Sequence, residues 1–331
     1  MKKLELNTDD RLIYNHEIYP YLPDRLFDAH CHLLNTEFHE YNRKIDINNP
    51  DTSFYNVGMD DLLNCWKVLF PDSHVNGLIM GTPTYNCNLN AENRFVAQSI
   101  TNDKNRFSLM IRPQMTDDIL GNEIKTYKPF GLKPYLSNAL VEDKQNARIT
   151  DFITEKQLDI ANNYGLCITL HVSKLRGMAD SDNLSDISRL VNQYPKIQFI
   201  LAHCGRCFIT PNMVAALDVL PVAENLWIDT SAVCETGVFL ELFSRYDLSR
   251  ILFGSDLFFA SAFRGNYIRL GMSWHVVTPQ NIAHYGGLES RATFAIYENL
   301  SALFHAARFC NVSEDNIQNI FYNNAAGLFK L

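Results

Sequence analysis

No apolar run in this chain approaches the ~20 residues that a membrane-spanning helix needs, so no span is expected. The first ten residues open with two lysines but continue as Leu4-Glu5-Leu6-Asn7-Thr8-Asp9-Asp10, with no apolar h-region, so no secretory leader is expected and the cytoplasm is the expected compartment. A basic run or stripe is also missing: 29 Lys and Arg stand against 37 Asp and Glu, for a net charge of -8, which argues against nucleic acid as a partner. No Gly-x-Gly-x-x-Gly turn and no Walker loop follows the first strand-like segment, so the phosphate cradles of nucleotide-binding sheets are absent. Cysteine is present but unpaired in pattern. Eight cysteines scattered over 331 residues read as reduced, mostly buried thiols. Only Cys204 and Cys207 lie close together, and Cys204 follows His203 on a predicted strand, so those two neighbours should point to opposite faces and no dithiol function is expected.

What is present is an ordinary globular composition, 47% hydrophobic and 20% charged, with enough apolar material for a large core. Short apolar runs alternate with helical patterns. Strands are expected near Leu26–Leu33, Val75–Met80, Phe107–Ile111, Gly131–Tyr135, Leu166–Val172, Ile197–His203, Leu226–Asp229 and Ile251–Asp256. Helices are expected at Met59–Phe70, Ile149–Asn162, Asp182–Asn192, Pro211–Leu220, Glu235–Tyr246, Arg291–Phe309 and Ser313–Phe329. Eight strand-helix alternations predict an α/β fold, a (β/α)8 TIM barrel, with the open doubly wound sheet as its competitor. The expected organisation is one unit, 1–331: an N-terminal arm over 1–24, barrel strands over 25–258, and a roofing loop with C-terminal helices over 259–331. The polar stretch Asn35–Ser53 has no periodicity and reads as a functional loop. Phe258, Phe259, Phe263, Tyr267, Trp274, His275 and Tyr285 read either as packing or as the roof of a pocket.

The chemistry concentrates at strand ends. In Leu26-Phe27-Asp28-Ala29-His30-Cys31-His32-Leu33, strand alternation puts His30 and His32 on one face, close enough to hold one metal ion, with Asp28 on that face to orient them. Alone, His-x-His is more often a chance pair. It is joined by Lys133 on the fourth strand, His171 near the end of the fifth, His203 at the end of the sixth and Asp256 at the end of the eighth. A lone His171 would more often be a packing residue, but ionisable groups gathered at one barrel mouth need partners or a metal.

Taken in order, Asp28-Ala29-His30-Cys31-His32, Gly131-Leu132-Lys133-Pro134, Leu170-His171, Leu201-Ala202-His203-Cys204-Gly205 and Leu252-Phe253-Gly254-Ser255-Asp256 resemble the amidohydrolase superfamily. The closer similarity is to its amidohydrolase-related branch, which includes aminocarboxymuconate-semialdehyde decarboxylase, resorcylate-type decarboxylases, lactonases and other hydrolases. It covers roughly residues 25–329, and the closing stretch Ile317–Phe329 shares it. The resemblance implies one divalent ion, zinc first with manganese or iron as alternatives, held by His30, His32, His171 and Asp256. It implies an uncoordinated His203 that polarises a substrate oxygen or passes a proton. In binuclear members of the superfamily a fourth-strand lysine carries a bridging carbamate; the similarity here is to the mononuclear branch, so Lys133 is expected as a plain ammonium. The eighth-strand motif departs from the branch, with Asp256-Leu257-Phe258 where Asp-Tyr-Pro or Asp-Trp-Pro is common.

The residues alone also suggest a reaction. A catalytic zinc keeps one position open and brings the pKa of water there to about 7. Asp256 can take that proton as base, and His203 can stabilise charge on a carbonyl oxygen. Hydrolysis of a small amide, ester or lactone is therefore expected, with decarboxylation of a small unsaturated or aromatic carboxylate as the alternative. A non-catalytic metal-binding scaffold is the third reading, disfavoured because a structural zinc is normally closed by four ligands. Of the cations near strand ends (Lys133, Arg112, Arg176, Arg206, Arg264), Lys133 and Arg206 are the candidates for substrate binding. The expected partner is a small molecule; homo-oligomerisation is open.

Overall fold

The computed structural model describes residues 4–39, 56–82, 87–286 and 291–331. Eight strands form one parallel sheet in chain order: β1 (Arg25–Asn35), β2 (His74–Gly81), β3 (Arg106–Ile111), β4 (Gly131–Pro134), β5 (Cys167–Leu170), β6 (Gln198–Leu201), β7 (Leu226–Asp229) and β8 (Ile251–Leu252). A two-residue strand, Asn56–Val57, adds antiparallel to the end of β1. The chain beyond β8 returns to β1: the Ala29 N–H donates to Phe253 O at 2.8 Å, the Asp256 N–H to His30 O at 2.7 Å and the His32 N–H to Leu257 O at 2.8 Å. These bonds join the two edges of the sheet into a barrel, the expected (β/α)8 architecture.

Helices cover the outside between successive strands, including Met59–Leu69, Asp117–Tyr127, Glu155–Tyr164, Ser181–Gln193 and Thr236–Arg245. Their starts follow capping chemistry. The helix expected from Ile149 begins at Glu155 because Thr154 caps it: Thr154 Oγ1 accepts from the Gln157 N–H at 3.3 Å, and Gln157 Oε1 accepts from the Thr154 N–H at 3.1 Å. The N-terminal arm is helical, Thr8–Ile13 followed by tighter and wider turns to Tyr21, and it lies against the helix Ala295–Phe309. An Arg264–Asp10 ion pair at 2.6 Å fixes it there. Most of the stretch expected to be a functional loop, Asn35–Ser53, lies outside the described residues.

Inside the barrel the lower layer is apolar, with Phe27, Ala29, Leu78, Met80, Ile200, Trp227, Leu252 and the C-terminal Phe329 packed together. Phe329 stacks on Phe27 with centroids 5.2 Å apart and closes the N-terminal end of the barrel. Arg106 holds it by donating from Nε to Phe329 O at 2.9 Å. The polar side chains are left to the opposite end of the strands.

Candidate active site

His30 and His32 reach the mouth through a bulge, not through simple alternation. Asp28 pairs with Gly77 and Cys31 with Ile79, so β1 spends three residues where β2 spends two. The extra residue shifts the side-chain parity by one. Phe27 and Ala29 face the interior, and His30 and His32 follow on the inner side, while Asp28 is left on the outer one. The expectation that Asp28 orients the imidazoles is therefore corrected. Asp28 holds backbone: it accepts from the His30 N–H at 3.2 Å, the Ser255 N–H at 2.8 Å and the Trp66 Nε1–H of the outer helix at 3.1 Å. Burial pushes its carboxyl up to about 6, against the lowering effect of these donors.

The imidazole of His30 is oriented instead by Asp229, the last residue of β7, whose Oδ2 accepts from His30 Nδ1 at 2.9 Å. Nothing singled Asp229 out beforehand. The available signal was an acid ending the apolar run Leu226-Trp227-Ile228, the same signal that marked the other strand ends. His32 Nδ1 lies 3.1 Å from Gly81 O, a carbonyl that also accepts from the Tyr135 hydroxyl at 2.8 Å.

His203 does not lie on a strand. β6 ends at Leu201, and the backbone then runs through four left-handed residues, His203 (φ 58°), Cys204 (51°), Gly205 (61°) and Arg206 (59°). The alternation argument for Cys204 and Cys207 thus fails, because that segment is a turn. Both thiols are nevertheless buried and free, and burial pushes Cys207 up to about 12. The turn brings His203 Nε2 to 3.3 Å from His171 Nδ1 and to 3.7 Å from Asp256 Oδ2. Arg206 donates from Nη1 to Val172 O at 3.0 Å, beside His171.

Asp256 sits at the centre. Its Oδ1 is 3.0 Å from His32 Nε2 and 3.8 Å from His30 Nε2. Burial pushes the carboxyl up, but the imidazoles of His30, His203 and His32 outweigh it and hold the group well below the usual carboxylate range. Burial lowers His203 to about 4 and His171 well below its ordinary value. Lys133, wholly buried, lies with Nζ 3.3 Å from His30 Nε2; burial brings it down to about 8, against the pull of Asp256 and Asp229. Of the other cations, Arg264 is spent on Asp10.

The structure thus gathers His30, His32, Lys133, His171, His203 and Asp256 at one end of the barrel. Ligand atoms of His30, His203 and Asp256 fall within 4.8 Å of one another, which brings His203, expected to stay uncoordinated, into the nearest group. The donor chemistry suits a cation. His30 and His32 turn Nδ1 to fixed partners, Asp229 and Gly81 O, so their Nε2 atoms meet the Asp256 carboxylate as lone pairs. Lone pairs facing an anion at 3.0 and 3.8 Å repel unless a positive charge lies among them; Lys133 Nζ, 3.3 Å from the Nε2 of His30, meets part of that need and a bound cation would meet the rest.

Aromatic rings cover the site. The hairpin of β9 (Asn266–Leu270) and β10 (Ser273–Val277) brings Tyr267 and Trp274 onto Phe208, with ring centroids 5.7 and 4.4 Å away, and Phe208 stacks on His203 at 6.2 Å. Phe259 meets His32 edge-on at 6.0 Å. The rings of the segment after β8 thus pack on one another and, through Phe208 and Phe259, against His203 and His32. Phe208 was not foreseen.

The profile of the amidohydrolase family matches residues 27–331. The chain belongs to that family. Membership makes this amidohydrolase one of a group of metal-dependent enzymes acting on small molecules. Its fold is similar to that of amidohydrolase 2 from Bifidobacterium longum subsp. infantis, at 15% identity and a TM-score of 0.53 over 93% of this chain and 100% of that one. It is also similar to a probable 2-pyrone-4,6-dicarboxylic acid hydrolase from Acinetobacter baumannii, at 16% identity and a TM-score of 0.55 over 92% and 99% of the two chains. A 2,6-dihydroxybenzoate decarboxylase matches at 14% identity and a TM-score of 0.55, over 93% and 98%. None of the curated proteins matches the sequence. Among the described residues no helix is long and apolar enough to cross a membrane.

The buried histidines make a prediction about the metal-free protein. His203 in the fold takes a proton near pH 4 and in the unfolded chain near its ordinary ~6.5, so between these values the unfolded state binds more protons. Stability should fall as pH drops through that window, with His30 and His171, both lowered by burial, adding to the slope and the raised carboxyl of Asp28 offsetting part of it. Urea midpoints measured without metal from pH 7 to 4 check this; a flat profile would contradict it.

Proposed function

We propose that this amidohydrolase uses a divalent ion, zinc before manganese or iron, to hydrolyse a small amide, ester or lactone in the cytoplasm. His30, His32, His171 and Asp256 would hold the ion. When bound, it supplies Lewis-acid polarisation of an oxygen and makes nearby water more acidic. The observation that carries the reading is the position of Asp256: one carboxylate, anionic across the working pH range, faces His32 and His30 with Oδ1 and His203 with Oδ2. Such a group accepts a proton from attacking water at Oδ2, while His203 beside it stabilises charge on the carbonyl oxygen or carries the proton onward. Lys133 and Arg206 are proposed to contact substrate, Lys133 from inside the barrel and Arg206 from the turn after β6.

Decarboxylation is the second reading, favoured by the buried Lys133 ammonium, which suits a carboxylate, and by the activity named for one of the similar structures. The two reactions differ in where solvent oxygen goes. Turnover of lactone, amide and carboxylate panels by the metal-loaded enzyme in heavy-oxygen water is expected to place label in the organic product. Evolved CO2 with an unlabelled product would replace hydrolysis by decarboxylation and leave the metal site standing.

A further inference from the structure

Asp229 and Ser231, at the end of β7 and just beyond it, touch the site without belonging to the set proposed above. Asp229 is wholly buried and receives four donors. Its Oδ2 accepts from His30 Nδ1 at 2.9 Å. Its Oδ1 accepts from the His203 N–H at 2.8 Å, the Ser231 N–H at 3.1 Å and the Ser231 hydroxyl at 2.5 Å. A serine hydroxyl has one hydrogen. The two backbone N–H groups on Asp229 Oδ1 can only donate, so that oxygen is an acceptor and the hydroxyl contact requires the serine to donate. Ser231 Oγ is left as an acceptor, and the atom facing it at 2.8 Å is His203 Nδ1.

From this hydrogen-bond order we infer that Asp229 and Ser231 set the tautomers of His30 and His203 together, making Ser231 a positioning residue that fixes His203 with hydrogen on Nδ1 and a lone pair on Nε2. His203 then meets the reaction as an acceptor, so of the two roles open to it the geometry selects proton transfer over hydrogen-bond donation to a resting carbonyl. Resting on the hydrolytic reading, the sequence balances as follows. Water gives a proton to Asp256 Oδ2 as its oxygen bonds to the carbonyl carbon. The proton passes to His203 Nε2, 3.7 Å away, and from there to the departing nitrogen or oxygen as that bond breaks. Ser231 and Asp229 keep the imidazolium oriented while it exists, as a buried carboxylate does for the histidine of a hydrolytic triad.

The tautomer can be tested without a substrate, so its failure is separate from failure of the hydrolytic reading. Ring-nitrogen NMR of the zinc-loaded protein with nitrogen-labelled histidine, assigned with His203→Asn, is expected to show His203 protonated at Nδ1. Ser231→Ala should abolish or move that signal while metal content stays at the wild-type level, and Ser231→Thr, which keeps the hydroxyl, should restore it. With any substrate turned over, Ser231→Ala should lower kcat roughly 10- to 100-fold at little change in KM. A wild-type His203 protonated at Nε2 would overturn the inference even if Ser231→Ala fails to fold. An unchanged Nδ1–H signal in Ser231→Ala, or a loss of metal that accounts for the whole effect, would also overturn it.

Discussion

Asp256→Asn is expected to cost about 10³-fold in turnover and to lower the divalent metal recovered with the purified protein. The carboxylate lies 3.0 Å from His32 Nε2, 3.8 Å from His30 Nε2 and 3.7 Å from His203 Nε2, so one substitution removes the anionic donor and the proton acceptor together. It also leaves the buried Lys133 ammonium with less negative charge to face, since Asp256 is its first electrostatic support, ahead of Asp229. An amide is nearly the same size, so the loss should be chemical, with the fold retained. Metal analysis beside circular dichroism and activity on a turned-over substrate separates these effects. A variant that keeps its metal and more than about a tenth of the activity would remove Asp256 from both roles.

Gly177→Ala is expected to destabilise the protein by about 2–4 kcal/mol and to disturb the site from a distance. Gly177 has φ 57°, and a Cβ there would lie 2.4 Å from Gly205 O and 2.7 Å from the carbonyl carbon of Arg206. Both contacts are backbone of the left-handed turn that carries His203 and Arg206, so no side-chain rotation relieves them. Three of the four residues in that turn, His203, Cys204 and Arg206, are not glycine, and each pays a steric cost for the conformation. The turn persists because its surroundings hold it, and Gly177 packs directly against its backbone. Gly271→Ala is the control. It shares a positive φ of 63° at the tip of the β9–β10 hairpin, but a Cβ there meets nothing within 4 Å, so only the ~1 kcal/mol backbone penalty applies. Chemical denaturation of both variants decides the matter: equal losses would mean that the Gly177 contact is unimportant.

The barrel itself was legible in the sequence because its signals are local. Each strand is a short Val/Ile/Leu/Phe run, each helix an amphipathic pattern with a cap, and the alternation of the two leaves few topologies. The polar residues at strand ends were legible for the same reason: an ionisable side chain closing an apolar run stands out wherever the fold takes it. What the sequence could not decide was parity and partnership. The bulge in β1 depends on pairing with β2, and it moved Asp28 away from the imidazoles that simple alternation had assigned to it. The left-handed turn after β6 packs against the backbone of Gly177, some 25 residues earlier in the chain, and it placed His203 where strand geometry would not have. Asp229 had the same local signature as the residues that were chosen, yet its weight comes only from four donors converging on it from β1, the turn after β6 and the segment just beyond β7. Residue types and order are properties of the chain; which lone pair faces which proton is fixed only when distant segments pack.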